Sequence, residues 1–309
     1  MKKNIKDFIP FNFKYILKYI VYLNYVRGKK EIPVVKGFEE TVNRIIDGGY
    51  SVSRFGDGEF KWIFQNREED NFEKNSPEMA KALSRAIKMD NSQLMLCVPD
   101  VFRGLEQYNK KARIYWFGAL GKYGKDWLSL LNTDKTYYDT QFTRPYMDYI
   151  DKSDVQKKFS LLKKIWQDRD ILIVEGDKTR FGVGNDLINN AHSVTRILCP
   201  AVNAFERYQD ILPEVVNYVN KMKKKPLVLI SLGPTATVLS ADLCKMDIQA
   251  IDIGHLDVEY SWSLLKAVDK IPLKNKYVNE NPKEGHSVQD ILDDELNKQY
   301  TSQIVGRIK

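Results

Sequence analysis

The sequence predicts an α/β protein built on a mostly parallel sheet with helices on both faces. Two observations carry this. Short apolar runs rich in Val, Ile and Leu recur along the chain, each bounded by turn residues, as strands buried on both faces are. Segments with helical spacing lie between them, and such alternation of strand and helix is the pattern of a parallel sheet.

Taken in order, "GFEETVNRIIDGG" (residues 37–49) places Phe38, Val42, Ile45 and Ile46 on one helical face and closes with a glycine pair. A short strand over 50–54 follows. Further strands are expected over 93–99, 170–176, 194–200, 226–234 and 248–255, with helices over 155–166, 204–222 and 235–244. Residues 102–145 are aromatic-rich without clean alternation and read as a helical insertion shaping an acceptor cleft. Residues 275–309 read as a polar extension, a helix with a loose tail. With a basic N-terminal segment over 1–36, this leaves 37–274 as the central domain.

At 309 residues and 43% hydrophobic content, the chain can bury a substantial core. Cys97, Cys199 and Cys244 are odd in number and far apart, so neither a disulfide framework nor a zinc site is indicated, and a reducing, cytoplasmic compartment fits. The net charge of +7 is confined to residues 1–30, where eight basic side chains face one acid, Asp7. The remainder is formally neutral, which weighs against nucleic acid as the principal partner. That basic segment interleaves Phe, Tyr, Ile and Leu with lysine. It is too charged for a spanning helix and lacks a signal-peptide cleavage site. Two readings stand: an amphipathic helix on an anionic membrane surface, or a helix docked on the protein body.

Ligands of parallel sheets gather at the carboxyl ends of strands, and four such ends here are polar and glycine-containing. "SRFGDGEFKW" (residues 53–62) puts Asp57 and Glu59 two residues apart. Like charges so close are tolerated when solvated or when a cation lies between them. Gly56 and Gly58 give the backbone freedom to turn both carboxylates toward one point, a hard-oxygen site suited to Mg²⁺ or Mn²⁺. "VEGDKTRFGVGND" (residues 174–186) offers the Gly182 and Gly184 N–H groups and Arg180 to a phosphate. A G-x-G-x-x-G spacing is absent, so dinucleotide binding is not indicated. "SLGPTATVLSADL" (residues 231–243) has the form of a helix start with exposed N–H donors, or of a plain β-to-α turn. "DIGHLDVEYSW" (residues 252–262) adds His255 among Asp252, Asp257 and Glu259, a metal ligand or a base whose tautomer a carboxylate sets.

Together, "RFGDGE", "QFTRPY", "EGDKTRFGVGNDL", "CPAVNAF", "LGPTATVLSADL" and "AIDIGHLDVEYSW" resemble the GT-D-fold glycosyltransferase family of bacteria, once classed as a domain of unknown function. The six blocks share one order, and the similarity covers residues 37–274. The resemblance implies a Rossmann-like GT-D sheet and transfer of a hexose, typically glucose, from a UDP-sugar in building surface polysaccharide or protein-linked glycan. It also implies a divalent metal, Mn²⁺ or Mg²⁺, at Asp57 and Glu59, with His255 a further candidate ligand. Arg54, Phe55, Gly56, Glu175, Arg180, Gly182, Asn185, Gly233, Pro234 and Thr235 become candidate donor-binding residues. Asp257 or Glu259 would take the acceptor's proton if the reaction inverts. The expected partners are the UDP-sugar, a glycan or a lipid- or protein-linked acceptor, and an anionic membrane surface met at the cytoplasmic face. The competing readings are a membrane-associated binding module without turnover and a nucleotide-sugar phosphohydrolase.

Overall fold

The computed structural model describes residues 11–28, 31–65, 73–280 and 288–309. Among them, nine strands form one wholly parallel sheet. They are β1 (Val34–Lys36), β2 (Ser51–Arg54), β3 (Leu94–Val98), β4 (Thr136–Asp139), β5 (Asp170–Gly176), β6 (Ser193–Cys199), β7 (Leu227–Ser231), β8 (Ala250–Asp252) and β9 (Ile304–Arg307). Their order is β1-β4-β3-β2-β8-β7-β5-β6-β9.

The apolar runs have a simple cause: each strand residue meets one of two cores. Leu172, Val174, Val228 and Ile230 enter one. Their alternate neighbours Ile171, Ile173, Leu227 and Leu229 enter the other, as a side-chain period of two requires. The first core is covered by α4 (Pro77–Ile87), α5 (Lys110–Ser129), α7 (Tyr208–Lys221) and α8 (Pro234–Cys244), the second by α2 (Phe38–Gly48), α6 (Val155–Lys163) and α9 (Leu256–Leu264). Each fully buried Leu, Ile or Val contributes roughly 1.5–3 kcal/mol relative to exposure. Helix α2 stops where expected: Gly49 takes a φ of 62°, and its N–H reaches the Ile45 carbonyl at 3.1 Å, a left-handed cap that favours glycine.

Three strands were not anticipated. β1 is too short to carry a period, and β4, "TYYD", lies inside the aromatic stretch, which therefore holds a strand as well as the helix α5. β9 corrects the loose-tail expectation. Helix α10 (Asp294–Ser302), capped by the Asp293 carboxylate on Leu296 N at 2.9 Å, leads into a strand that pairs in parallel with β6. The extension closes over a buried ion pair. Arg196 of β6 meets Glu175 of β5 at 2.6 Å, its Nε donates to Gln303 at 2.7 Å, and its guanidinium lies 5.2 Å from the centre of the Tyr300 ring.

The basic segment is also settled in part. Helix α1 (Phe11–Arg27) lies along α5, with the rings of Tyr15 and Tyr22 against Phe117 and a buried Tyr25 donating to the Phe102 carbonyl at 3.2 Å. No helix among the described residues is long and apolar enough to cross a membrane.

Candidate active site

The two halves of the sheet meet where β2 lies beside β8. From β2 the chain runs outward through β3 and β4, and the strands from β5 to β9 occupy the other half. Such a reversal opens a crevice at the carboxyl ends of the strands. A cavity of about 700 Å³ occupies it, reached by residues following β2, β3, β4, β7 and β8 and walled on one side by α5.

Arg54, the last residue of β2, spans the crevice floor. Its Nε and Nη2 donate to Asp252 Oδ1 of β8 at 3.2 and 2.9 Å, and its Nη1 donates to Thr143 Oγ1 at 2.9 Å. Asp252 is buried, and Thr237 of α8 donates to its second oxygen at 3.1 Å. Burial pushes the Asp252 carboxyl up, and Arg54 works against that rise. Gly254 is required here twice over. Its φ is +49°, and a Cβ would stand 2.0 Å from Arg54 Nη2.

Asp57 and Glu59 lie in the first turn of a short helix, α3 (Asp57–Ile63), rather than on a free turn, and their carboxylates take different partners. Asp57 pairs with Lys61 Nζ, one turn on, at 2.6 Å and accepts from the Tyr115 hydroxyl of α5. Glu59 folds back to accept from Gly56 N–H at 2.8 Å, the acidic half of a capping box. Their proximity is thus tolerated through a lysine, a cap and the positive end of a helix. Burial and then the Asp252 carboxylate raise Glu59 above its ordinary range, against the pull of Arg54 and the Gly56 N–H.

Opposite them, Glu280 bridges Arg144 and His255. Arg144 Nη1 lies 2.9 Å from one oxygen and His255 Nδ1 2.8 Å from the other. Burial works to raise this carboxyl, but His255 and Arg144 outweigh it and hold Glu280 well below the usual carboxylate range. Gly233, Pro234 and His255 border the cavity, as expected. Gly233, at φ +53°, starts α8, and the Thr235 hydroxyl beside it is fully buried without a hydrogen-bond partner.

Several expected residues lie elsewhere. Phe55 is core, packed near Phe60. Glu175 accepts from Phe181 N at 2.6 Å and pairs with Arg196, so it braces the fold. Arg180, at φ 50°, donates to the Asn275 and Gln289 carbonyls at 3.1 and 2.7 Å, tying its loop to the C-terminal extension. Gly182 touches Ile188 and borders neither the large cavity nor a small neighbouring one of about 20 Å³. Arg180 and Gly182 therefore lie outside the crevice, whereas Gly176, Thr179 and Phe181 of the same loop line the small cavity beside it. Asn185 donates to Asp257 at 2.7 Å, and Asp257, buried against Lys276, reaches only the small cavity. Glu259 is buried and accepts from Tyr146 and Met147 N–H at 3.1 and 2.9 Å. It reaches neither cavity and is a structural acid, not a base for the acceptor. Conversely, Tyr115, Arg144 and Glu280 line the cavity, and Lys61 and Asp252 hold Asp57 and Arg54 at it, although none of the five was expected as a site residue. Arg144 and Asp252 lay inside the quoted motifs, but nothing local marked Tyr115 or Glu280.

No group of three or more His, Cys, Asp or Glu among the described residues is placed to hold a metal. Mg²⁺ and Mn²⁺, however, are commonly held by one or two carboxylates and completed by substrate phosphates and water. Asp57, with 31% of its side chain exposed, and Glu59 both border the cavity and fit such an open site.

Asp139 makes the site's support sensitive to pH. It ends β4, is buried, and its Oδ1 accepts from Gln141 N at 2.8 Å, setting the turn (Thr140–Thr143) that braces Arg54 and leads into Arg144. Burial pushes Asp139 up to about 7, partly offset by the Gln141 N–H. Between the unfolded value of about 4 and this folded value, the native state keeps a proton that the unfolded chain releases, so stability falls as pH rises through that window. Asp139→Asn keeps the acceptor and removes the titration. Urea unfolding at pH 5 and pH 8 should show a smaller pH slope in the variant, which at pH 8 gains on the order of 2 kcal/mol over the parent. Parallel slopes would refute this.

Comparison with known proteins decides the family. The description "Glycosyltransferase GT-D fold" matches residues 52–281. The chain belongs to the GT-D glycosyltransferase family. It is 37% identical over 287 residues to "Glycosyltransferase GlyD" of Streptococcus pneumoniae serotype 4, covering 90% of this chain and 33% of that protein. It is 36% identical over 275 residues to "Probable glycosyl transferase Gly" of Streptococcus gordonii, covering 89% and 39%. The chain thus spans little more than a third of these relatives. A solved structure described as the domain of unknown function 1792 with "a distinct glycosyltransferase fold" superposes with a TM-score of 0.81 at 35% identity, covering 96% of this chain and all of that one. A further one, "A New Glycosyltransferase (DUF1792)" from Streptococcus sanguinis, gives 0.82 at 34% identity over 90% of this chain and all of its own. The GT-D sheet and its helices on both faces are therefore those of this family, as the sequence blocks implied.

Proposed function

We propose that this chain transfers a hexose, glucose or a close relative, from a UDP-sugar to a hydroxyl of a glycan or glycoconjugate acceptor, in the cytoplasm, for bacterial surface polysaccharide or glycoprotein. The observation that carries the reading is the crevice cavity at the β2/β8 junction, sized for a nucleotide-sugar. It gathers Asp57, Glu59, Arg144 and the amino end of α8 on one wall system.

Asp57, with Glu59 behind it, would hold Mn²⁺ or Mg²⁺, which when bound supplies charge neutralisation to the departing diphosphate. Backbone N–H groups at the start of α8, where Gly233 and Pro234 border the cavity, offer donors to phosphate oxygens. Arg144, fixed by Glu280, adds positive charge where leaving-group charge develops.

Thermal-shift titration with UDP-, GDP- and dTDP-sugars, with and without Mn²⁺, tests the donor, because a ligand that binds only the folded form raises its melting temperature. A shift is expected with UDP-sugar and to be larger with Mn²⁺. Product analysis should then find UDP and a glycosylated acceptor. UMP with sugar phosphate would instead mark a phosphohydrolase, and no shift with any UDP-sugar would reject the donor.

A further inference from the structure

Helix α1 carries two apolar faces, and α5 covers only one. On the covered side, α5 presents Gly118, Gly121 and Gly124. A Cβ at Gly121 would stand 2.8 Å from the Val21 carbonyl carbon, and one at Gly124 2.6 Å from the Tyr25 ring. Glycines three apart let the two backbones approach closely, as small residues do at tight helix crossings. The helix is therefore clamped to the body and is not a free arm.

On the opposite side, Phe13, Ile16, Leu17 and Ile20 follow the i, i+3, i+4, i+7 spacing of one helical face. They are 52%, 53%, 42% and 53% exposed. The helix carries one sign of charge: it holds Lys14, Lys18 and Arg27 and no acid, within a segment of eight basic residues and one acid, and Lys18 lies over Gly118 at the seam with α5. An exposed apolar face on a helix whose charges are all cations matches an anionic lipid surface, where apolar side chains enter the interface and cations meet headgroups. Another face of α5 carries Lys111 and Tyr115 on the cavity wall.

We infer that α1 docks the protein on an anionic membrane surface through Phe13, Ile16, Leu17 and Ile20 while remaining clamped on α5. This holds the cavity about two helix diameters, ~20 Å, from the lipid, with α1 and α5 between them, where an acceptor carried on a lipid would be met. The inference does not depend on the identity of the sugar donor.

Flotation of the full chain with vesicles of phosphatidylglycerol and phosphatidylcholine, against phosphatidylcholine alone, tests it. At least tenfold more protein should float with the anionic vesicles, and 0.5 M salt should reduce this severalfold (~) as charges are screened. Ile16→Asp with Ile20→Asp should abolish flotation while melting and UDP-sugar turnover stay unchanged. If those aspartates lower the melting temperature, Leu17→Ser with Ile20→Ser provides the same loss with a milder change. Absence of flotation by the parent, or equal flotation by the variants, overturns the inference. So does a solution dimer, seen by light scattering, that the variants split, because a second copy would then cover this face.

Discussion

Replacing Asp57 by alanine is expected to lower transfer about 10²–10³-fold, the range seen when one electrostatic contact to a transition state is removed, with the fold intact. The side chain is one-third exposed at the start of α3, and its partners include the ammonium of a half-buried Lys61 and the Tyr115 hydroxyl. Losing such a surface pair and a helix-end charge costs about 1 kcal/mol or less. The melting temperature should therefore fall by only a few degrees (~2–4 °C). Hydrolysis of UDP-sugar without acceptor should fall in parallel, because both need the leaving group stabilised. Initial rates measured over a Mn²⁺ titration decide the matter. A variant restored to near-parental turnover by excess Mn²⁺ would show that Asp57 is not the oxygen ligand that matters.

Arg54→Ala should damage stability and activity together. The Asp252 carboxylate is buried and takes both Nε and Nη2 of Arg54. Removing one partner of a buried pair leaves a charge without compensation, which typically costs 3–5 kcal/mol, roughly 10 °C or more in melting temperature. Burial already raises Asp252, and without Arg54 it must rise further. The native variant would then keep a proton that the unfolded chain releases, so the loss of stability should deepen as pH rises from about 4. Arg54→Met combined with Asp252→Asn removes both charges and should recover most of the stability, whereas transfer stays low because the cation on the cavity floor is gone. Recovery of transfer along with stability would reduce Arg54 to a structural brace.

The strands over 170–176 and 226–234 were legible because a strand covered on both faces needs apolar residues at every position, a signal contained in seven residues or fewer. The same reasoning passed over β9, whose residues alternate between half-buried and exposed at a sheet edge. It also misjudged the loop around Arg180 and Gly182. Two glycines, Gly182 and Gly184, beside a basic side chain looked like a phosphate cradle, but Arg180 instead donates to two carbonyls of the C-terminal extension. For the basic segment, the pattern of charge left membrane and docking as alternatives. The glycines of α5, a hundred residues away, show that docking on the body occurs, and the second apolar face leaves room for both.

By itself the sequence determined the class of fold, the positions of the polar strand ends and the family, since these rest on local periodicity and on blocks read one at a time. Only the tertiary structure decided which strand ends face each other. Placing β2 beside β8 joins Arg54 to Asp252 and brings Arg144, His255 and Glu280 to the cavity, while it turns Asp257 and Glu259 inward. The physical reason is that strand order and helix docking are set by long-range burial of whole faces. No window of a dozen residues contains that information.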